Sequence, residues 1–261
     1  MGSYERIGDL VVRLELDAVT VSYLRRDAVL DVSARFSVGV TALVGPNGAG
    51  KSSLLRVIAG MQRASHGTVR LGSEEPCHVA GWQRAIGYLP QEPDLAGGVT
   101  VADTVALAAW LKDVGRRELR GSVHASLKLV GLEDRAAERT RTLSGGMRRR
   151  LGFATAVVHR PTVLVLDEPT SGLDPEQRAS LGEVIRTLAD GRIVVLSTHV
   201  LDDLRRVGGE VAVMSAGRIA FHGTLDELAA AASARLGRTL DSARPEDLDC
   251  AYLSFQEAAA L

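Results

Sequence analysis

With 261 residues, 46% of them hydrophobic, the chain can bury a sizeable core and suits one α/β domain carrying an inserted subdomain. Its 31 Lys and Arg against 32 Asp and Glu leave a net charge of −1, which offers no electrostatic case for a nucleic-acid partner. No apolar stretch approaches the roughly 20 residues that span a bilayer, and Met1 to Gly8 carry charge where a signal peptide has an apolar core, so any membrane connection is expected through a partner. Cys77 and Cys250 stand far apart with no second cysteine near either, and both are read as reduced thiols in a reducing compartment.

In chain order, residues 10–23 alternate apolar and polar side chains and predict an antiparallel edge, with a second strand around residues 34–38. Residues 40–44 form an apolar run that predicts a short buried strand, and residues 53–59 predict a helix. Helical spacing over 101–112 and 118–130, broken at Gly115 and closed at Gly131, predicts an α-helical insertion. Apolar strands are expected at 162–166 and 193–197, and strands at 211–214 and 218–221 flank Ser215-Ala216-Gly217, a hairpin signal. Residues 228–234 are helical by their alanine content, and the last 25 or so residues read as a weakly specified tail. Alternating strands and helices imply a mostly parallel sheet. The expected division is 1–91 and 156–223 as α/β core with a β edge, 92–155 as helical insertion and 224–261 as helical tail.

Three stretches carry chemistry. Gly45-Pro46-Asn47-Gly48-Ala49-Gly50-Lys51-Ser52 fills every fixed position of the phosphate-binding pattern G-x-x-x-x-G-K-[ST], between a predicted strand and a predicted helix. Its glycines let backbone N–H groups turn toward one anion, and the helix N-terminus adds positive potential. Lys51 would reach the β- and γ-phosphates and the Ser52 hydroxyl would ligate Mg²⁺. In Val163-Leu164-Val165-Leu166-Asp167-Glu168, two carboxylates emerge at a strand's C-terminal end, where open α/β sheets bind ligands. Asp167 suits a Mg²⁺ shell, and Glu168 is placed to orient and polarise the attacking water. In Leu143-Ser144-Gly145-Gly146-Met147, Ser144 can cap the following helix and the glycines leave N–H groups open to a second anion. A second cradle makes sense if it serves a nucleotide bound on another subunit.

Together these residues resemble the nucleotide-binding subunits of ABC transporters, over about residues 14–228. Residues 45–52 match the family's Walker A, Leu143 to Met147 its signature and Val163 to Glu168 its Walker B, with Ser53 standing beside Ser52 where paired threonines are common. The resemblance implies further roles: Tyr23 stacking on adenine, Gln91 as the Q-loop glutamine contacting Mg²⁺, Asp174 in the D-loop Ser171-Gly172-Leu173-Asp174, and His199 as the switch histidine on the γ-phosphate. It implies ATP and Mg²⁺ as cofactors and a head-to-tail pair with a second copy or a related ATPase subunit. It also implies a separately encoded transmembrane permease, which places the chain in the cytoplasm on the inner face of the plasma membrane. Met147 in place of the commoner glutamine, Asp174-Pro175 and the stretch 245–253 resemble ABC-2-type exporters of drugs, antibiotics or lantibiotics. Arg148, Arg149 and Arg150 are read as a solvated helix face. Two alternatives carry less weight: a soluble ABC ATPase acting on ribosomes or DNA, which usually has two cassettes or a long coiled coil, and an importer's motor, which often has a regulatory domain after the cassette.

Overall fold

The computed structural model describes residues 13–24, 26–72, 80–199, 204–205 and 207–257, so Cys77 and the first residues of the strand expected at 10–23 lie outside the described residues. Strands β1 (Leu14–Tyr23), β2 (Arg26–Phe36) and β4 (His66–Leu71) form an antiparallel sheet in the order β2-β1-β4. β2 is longer than the expected 34–38, because it pairs with β1 from Tyr23↔Arg26 to Leu14↔Phe36. Its exposed face carries Asp27, Asp31 and Ser33, which dilutes the apolar signal on which the expectation rests.

The second sheet has the order β5-β6-β7-β3-β8-β9, from β3 (Gly39–Val44), β5 (Ile86–Leu89), β6 (Val163–Asp167), β7 (Ile193–Thr198), β8 (Glu210–Ser215) and β9 (Arg218–Thr224). All pairings are parallel except β8 with β9. Both faces of its central strands are covered, which is why those strands read as continuous apolar runs. In β6, Val163 and Val165 face one core with α1 (Lys51–Ile58), while Leu164 and Leu166 face the other. That second core holds α3 (Val101–Leu111), α4 (Arg116–Leu129), α5 (Gly145–Val157) and α6 (Pro175–Leu188). The result is a layered α/β fold with the antiparallel sheet outside α1, as expected from the sequence.

The β8–β9 turn, Ala216-Gly217, has φ of +46° and +80°, the pattern of a two-residue type I′ hairpin. It reaches across the molecule: Gly217 N–H donates to Ala49 O at 3.1 Å and Leu30 N–H donates to Gly217 O at 2.8 Å. At the other side of the sheet, α2 (Ala80–Ala85) is tied to the end of α3. Arg84 donates to Asp113 at 2.6 Å, and Lys112 Nζ donates to Gln83 O at 2.6 Å and Ile86 O at 3.2 Å. His159 Nε2 meets the same Ile86 carbonyl at 3.2 Å, and its Nδ1 has no partner. Burial, with the Lys112 ammonium beside it, lowers the His159 pKa from 6.5 to about 4.

The C-terminal region corrects the expectation of a weakly specified tail. α7 (Leu225–Leu236) carries a capping box from Thr224 and Glu227 and ends at the left-handed Gly237. α8 (Pro245–Glu257) folds back onto it and onto β8. Leu248, Ala251 and Phe255 fall at i, i+3 and i+7, so one face of α8 is apolar and buried. The Phe255 ring lies 5.2 Å from Phe221 and 4.7 Å beneath the Arg235 guanidinium.

Phe255→Ala is expected to cost roughly 3 kcal/mol of unfolding free energy or more, read from urea denaturation, because it empties a closed aromatic contact. His159 is neutral in the folded chain down to about pH 4. The unfolded chain takes up that proton below about 6.5, so stability is complete above that pH and falls between 6.5 and about 4. His159→Gln should flatten the stability profile over that window, measured as denaturation midpoints against pH.

Candidate nucleotide site

Parallel register builds the site. Val44 pairs with Thr198, Asp167 with Ser197 and Leu89 with Leu166, so four strands finish at one edge of the sheet. The residues that follow those strand ends are the phosphate loop from Gly45, Glu168, His199 and, two positions on, Gln91. One cavity of about 440 Å³ opens there, lined by Tyr23, Asn47, Gly48, Gly50, Lys51, Ser52, Ser53, Gln91 and Glu168 among others. Of the phosphate-loop residues, Gly45, Pro46 and Ala49 complete the backbone of the turn.

The loop needs its glycines where other backbone crowds it. Gly50, at φ +104°, caps α1, and a Cβ there would lie 2.1 Å from Ala28 O. A Cβ at Gly45 would lie 2.4 Å from Met214 O. Lys51 is 6% exposed, and its Nζ donates to Gly45 O at 2.6 Å and Pro46 O at 3.1 Å. An ammonium has three donors, so one remains for an anion in the cavity. Burial lowers the Lys51 pKa, and the nearby Glu168 and Asp167 carboxylates oppose that shift. The Tyr23 hydroxyl, at the same cavity, donates to Gln62 Oε1 at 2.6 Å and lies 3.3 Å from Ser53 Oγ, which fixes the ring while leaving the residue 41% exposed.

Ser197 organises the two carboxylates. Its Oγ donates to Asp167 Oδ1 at 2.6 Å and accepts from Glu168 N–H at 2.8 Å. Asp167 is 1% exposed and its Oδ2 has no hydrogen-bond partner, an arrangement that fits a carboxylate serving a cation or its water shell. Asp167 itself is not among the lining residues but directly precedes Glu168, which is, and Ser52 and Gln91 bring further hard oxygen donors to the cavity, so the residues present fit Mg²⁺. Among the described residues no group of three or more His, Cys, Asp or Glu could hold a metal alone, so phosphates and water would complete the shell. Glu168 has φ +48°, a left-handed conformation that costs on the order of 1–3 kcal/mol and is held by its surroundings. Its Oε1 lies 3.3 Å from His199 Nδ1.

Ser144, Gly145, Gly146 and Asp174 do not line this cavity. Ser144 caps α5, its Oγ accepting from Met147 N–H at 3.3 Å, as its sequence position predicts. A Cβ at Gly145 would meet nothing within 4 Å, so that cradle faces open space, whereas Gly146 packs close to Gln177 and Leu173. Asp174 caps α6 through Gln177 N–H at 2.8 Å. Gln91 is shared: it also lines a second cavity of about 410 Å³ with Gly145, Arg149, Ser171 and Gly172.

Three residues were not anticipated. Arg26, three positions after Tyr23, lines the nucleotide cavity, and its proximity to that aromatic was the available signal. Ser197, just before the histidine, takes the carboxylate contacts described above. Arg149 corrects the reading of a solvated arginine face: Arg148 is exposed, but Arg149 is buried beneath backbone carbonyls. Arg149 shares a helix face with the buried Phe153 and Ala156, a spacing of i, i+4 and i+7.

A strand, a glycine-rich phosphate loop and a helix, with an acidic strand end in register beside them, define a P-loop nucleoside triphosphatase. The family model described as ABC transporter matches residues 31–171. The chain belongs to the ABC transporter family, as an ATP-binding subunit with ATPase activity. It is 37% identical over 216 residues to an uncharacterised ABC transporter ATP-binding protein of Bacillus subtilis, YxlF, covering 82% of this chain and 72% of that protein. It is also 37% identical over 210 residues to the Nod factor export ATP-binding protein I of Rhizobium johnstonii, covering 79% and 68%. Among solved structures, the ATP-binding cassette MJ0796, a dimer in a post-hydrolysis state with ADP and Pi, aligns with a TM-score of 0.75 and 25% identity over 81% of this chain and 98% of that one.

Lys51→Ala should weaken ATP binding on the order of 10²-fold, the scale of losing charged hydrogen bonds to phosphate. Titration with a fluorescent ATP analogue measures it, and unchanged affinity would remove Lys51 from the phosphate site.

Proposed function

We propose that this subunit is the motor of an exporter: it pairs head to tail with a second copy or a related ATPase subunit, and ATP-driven closure of that pair moves a separately encoded membrane permease. The observation that carries this reading is the separation of two anion cradles in one chain. The phosphate loop lines one cavity, while Gly145 faces open space and borders another. A nucleotide held between the loop of one subunit and the Ser144, Gly145 and Gly146 cradle of the other uses both, with Asp174 near the crossing point.

In this reading Tyr23 carries the adenine, and the backbone of residues 45–50 with Lys51, Ser52 and Ser53 wraps the phosphates. Asp167, Ser52 and Gln91 hold Mg²⁺, which when bound neutralises phosphate charge. Glu168 orients and polarises the attacking water, and its short approach to His199 lets the histidine fix both the carboxylate and the γ-phosphate end of the site. The working division is the one expected from the sequence: a core of 1–91 and 156–223, a helical insertion of 92–155 that receives the permease, and a tail of 224–261. On α3, Leu107, Trp110 and Leu111 are 55%, 65% and 62% exposed, an apolar surface suited to a protein partner. No described helix is long and apolar enough to cross a membrane. A motor that drives such a permease with ATP works on the inner face of the plasma membrane, and we assign the chain to the cytoplasm there. The exporting direction and the ABC-2 type rest on Met147, the Asp174-Pro175 pair and the stretch 245–253.

Glu168→Gln keeps shape and removes charge. Turnover should fall by roughly 10²-fold or more, the scale of a lost general base, while ATP binding survives. Sedimentation of this variant should show monomer without nucleotide and dimer with MgATP. A variant that stays monomeric with MgATP bound contradicts the composite site.

A further inference from the structure

Arg149 is 6% exposed and spends its guanidinium on backbone carbonyls from two other segments. Nε donates to Pro169 O at 3.3 Å, Nη2 donates to Asp167 O at 2.7 Å and to Glu168 O, and Nη1 donates to Gln91 O. Burying a guanidinium is costly unless its donors are met, and four carbonyls take up four of its five N–H donors here. Three of those carbonyls are consecutive, at the strand end that presents the carboxylates. The fourth belongs to the residue shared by both cavities.

The strand end is also where the backbone departs from ordinary conformation. Glu168 sits at φ +48°, with its N–H on Ser197 Oγ and its carbonyl on Arg149. The residue is thus gripped on both sides, from β7 and from the signature helix α5. Arg149 does not line the phosphate-loop cavity, so it reaches the Glu168 of its own subunit through these carbonyls. A planar fan of donors suits several carbonyls at once, which the point charge of a lysine does less well.

We infer that Arg149 is a positioning residue for hydrolysis: it holds Glu168 in its left-handed conformation and ties that backbone to Gln91, so that a displacement at residue 91 or in α5 is felt at the carboxylate. The inference rests on the reading of Glu168 as the carboxylate that orients water.

The test is a double-mutant cycle on the purified subunit, with ATP binding, steady-state and single-turnover hydrolysis and melting temperature read for each protein. Arg149→Ala should lower kcat on the order of 10²-fold, the cost of a small misplacement of a catalytic group, and leave KM for ATP within about twofold. Arg149→Lys should recover part of the loss. In the Glu168→Gln background, Arg149→Ala should add little, because both changes remove the same positioned carboxylate. Wild-type kcat in Arg149→Ala overturns the inference, and so does an equal further loss in the Glu168→Gln background. Wild-type turnover in Glu168→Gln alone overturns the reading of Glu168 together with the inference. If Arg149→Ala melts below the assay temperature, Arg149→Lys carries the same cycle, with the same additive loss overturning the inference.

Discussion

The parallel register of β3, β6 and β7 is the constraint on which the rest of the molecule depends. Val44 opposite Thr198 and Asp167 opposite Ser197 bring three chain segments to the same edge at the same height. A slip of one residue would turn Asp167 from one face of the sheet to the other and pull it from Ser197. The slip is resisted because both faces of these strands are buried, so every alternate residue has a core to lose. Site geometry is thereby inherited from apolar packing that has no chemistry of its own.

The site holds charges in different ways. Lys51 and Asp167 are both almost fully buried, and each is only partly met by protein: Lys51 by two loop carbonyls, Asp167 by one serine hydroxyl. Buried charges of this kind are unfavourable for stability and useful for binding, since a ligand that completes them is strengthened by the low local dielectric. Arg149 is the opposite case, a buried cation with four of its five donors spent on backbone carbonyls within the protein.

Much of this was legible in the sequence because it is written in short linear runs. The phosphate loop, the acidic strand end and the serine-capped helix are each contiguous, so spacing alone reveals them. The main-sheet strands β3, β6, β7 and β8 were equally legible as apolar runs, whereas β5, only four residues long, was not expected. What escaped depends on contacts between distant positions. β2 looked short because the exposed Asp27, Asp31 and Ser33 interrupt its apolar residues. Ser197 gains its importance only from lying opposite Asp167. Arg149 stands between two other arginines, and its burial follows from the helix face it shares with Phe153, not from its composition. The C-terminal helix was a different kind of oversight, since Leu248, Ala251 and Phe255 already carry its period.

The hairpin turn at Ala216-Gly217 has a consequence for how the subunit is made. Gly217 supplies hydrogen bonds to both Ala49 and Leu30, and Met214 supplies the carbonyl that crowds Gly45. The wall of a pocket whose loop is encoded near the start of the chain is therefore delivered near its end. During synthesis, residues 45–52 leave the ribosome long before the segment that braces them, and the pocket takes its final form only once the last strands have docked. Nascent chains stopped before β8 would hold the complete phosphate-binding sequence and still lack a finished place to put a nucleotide.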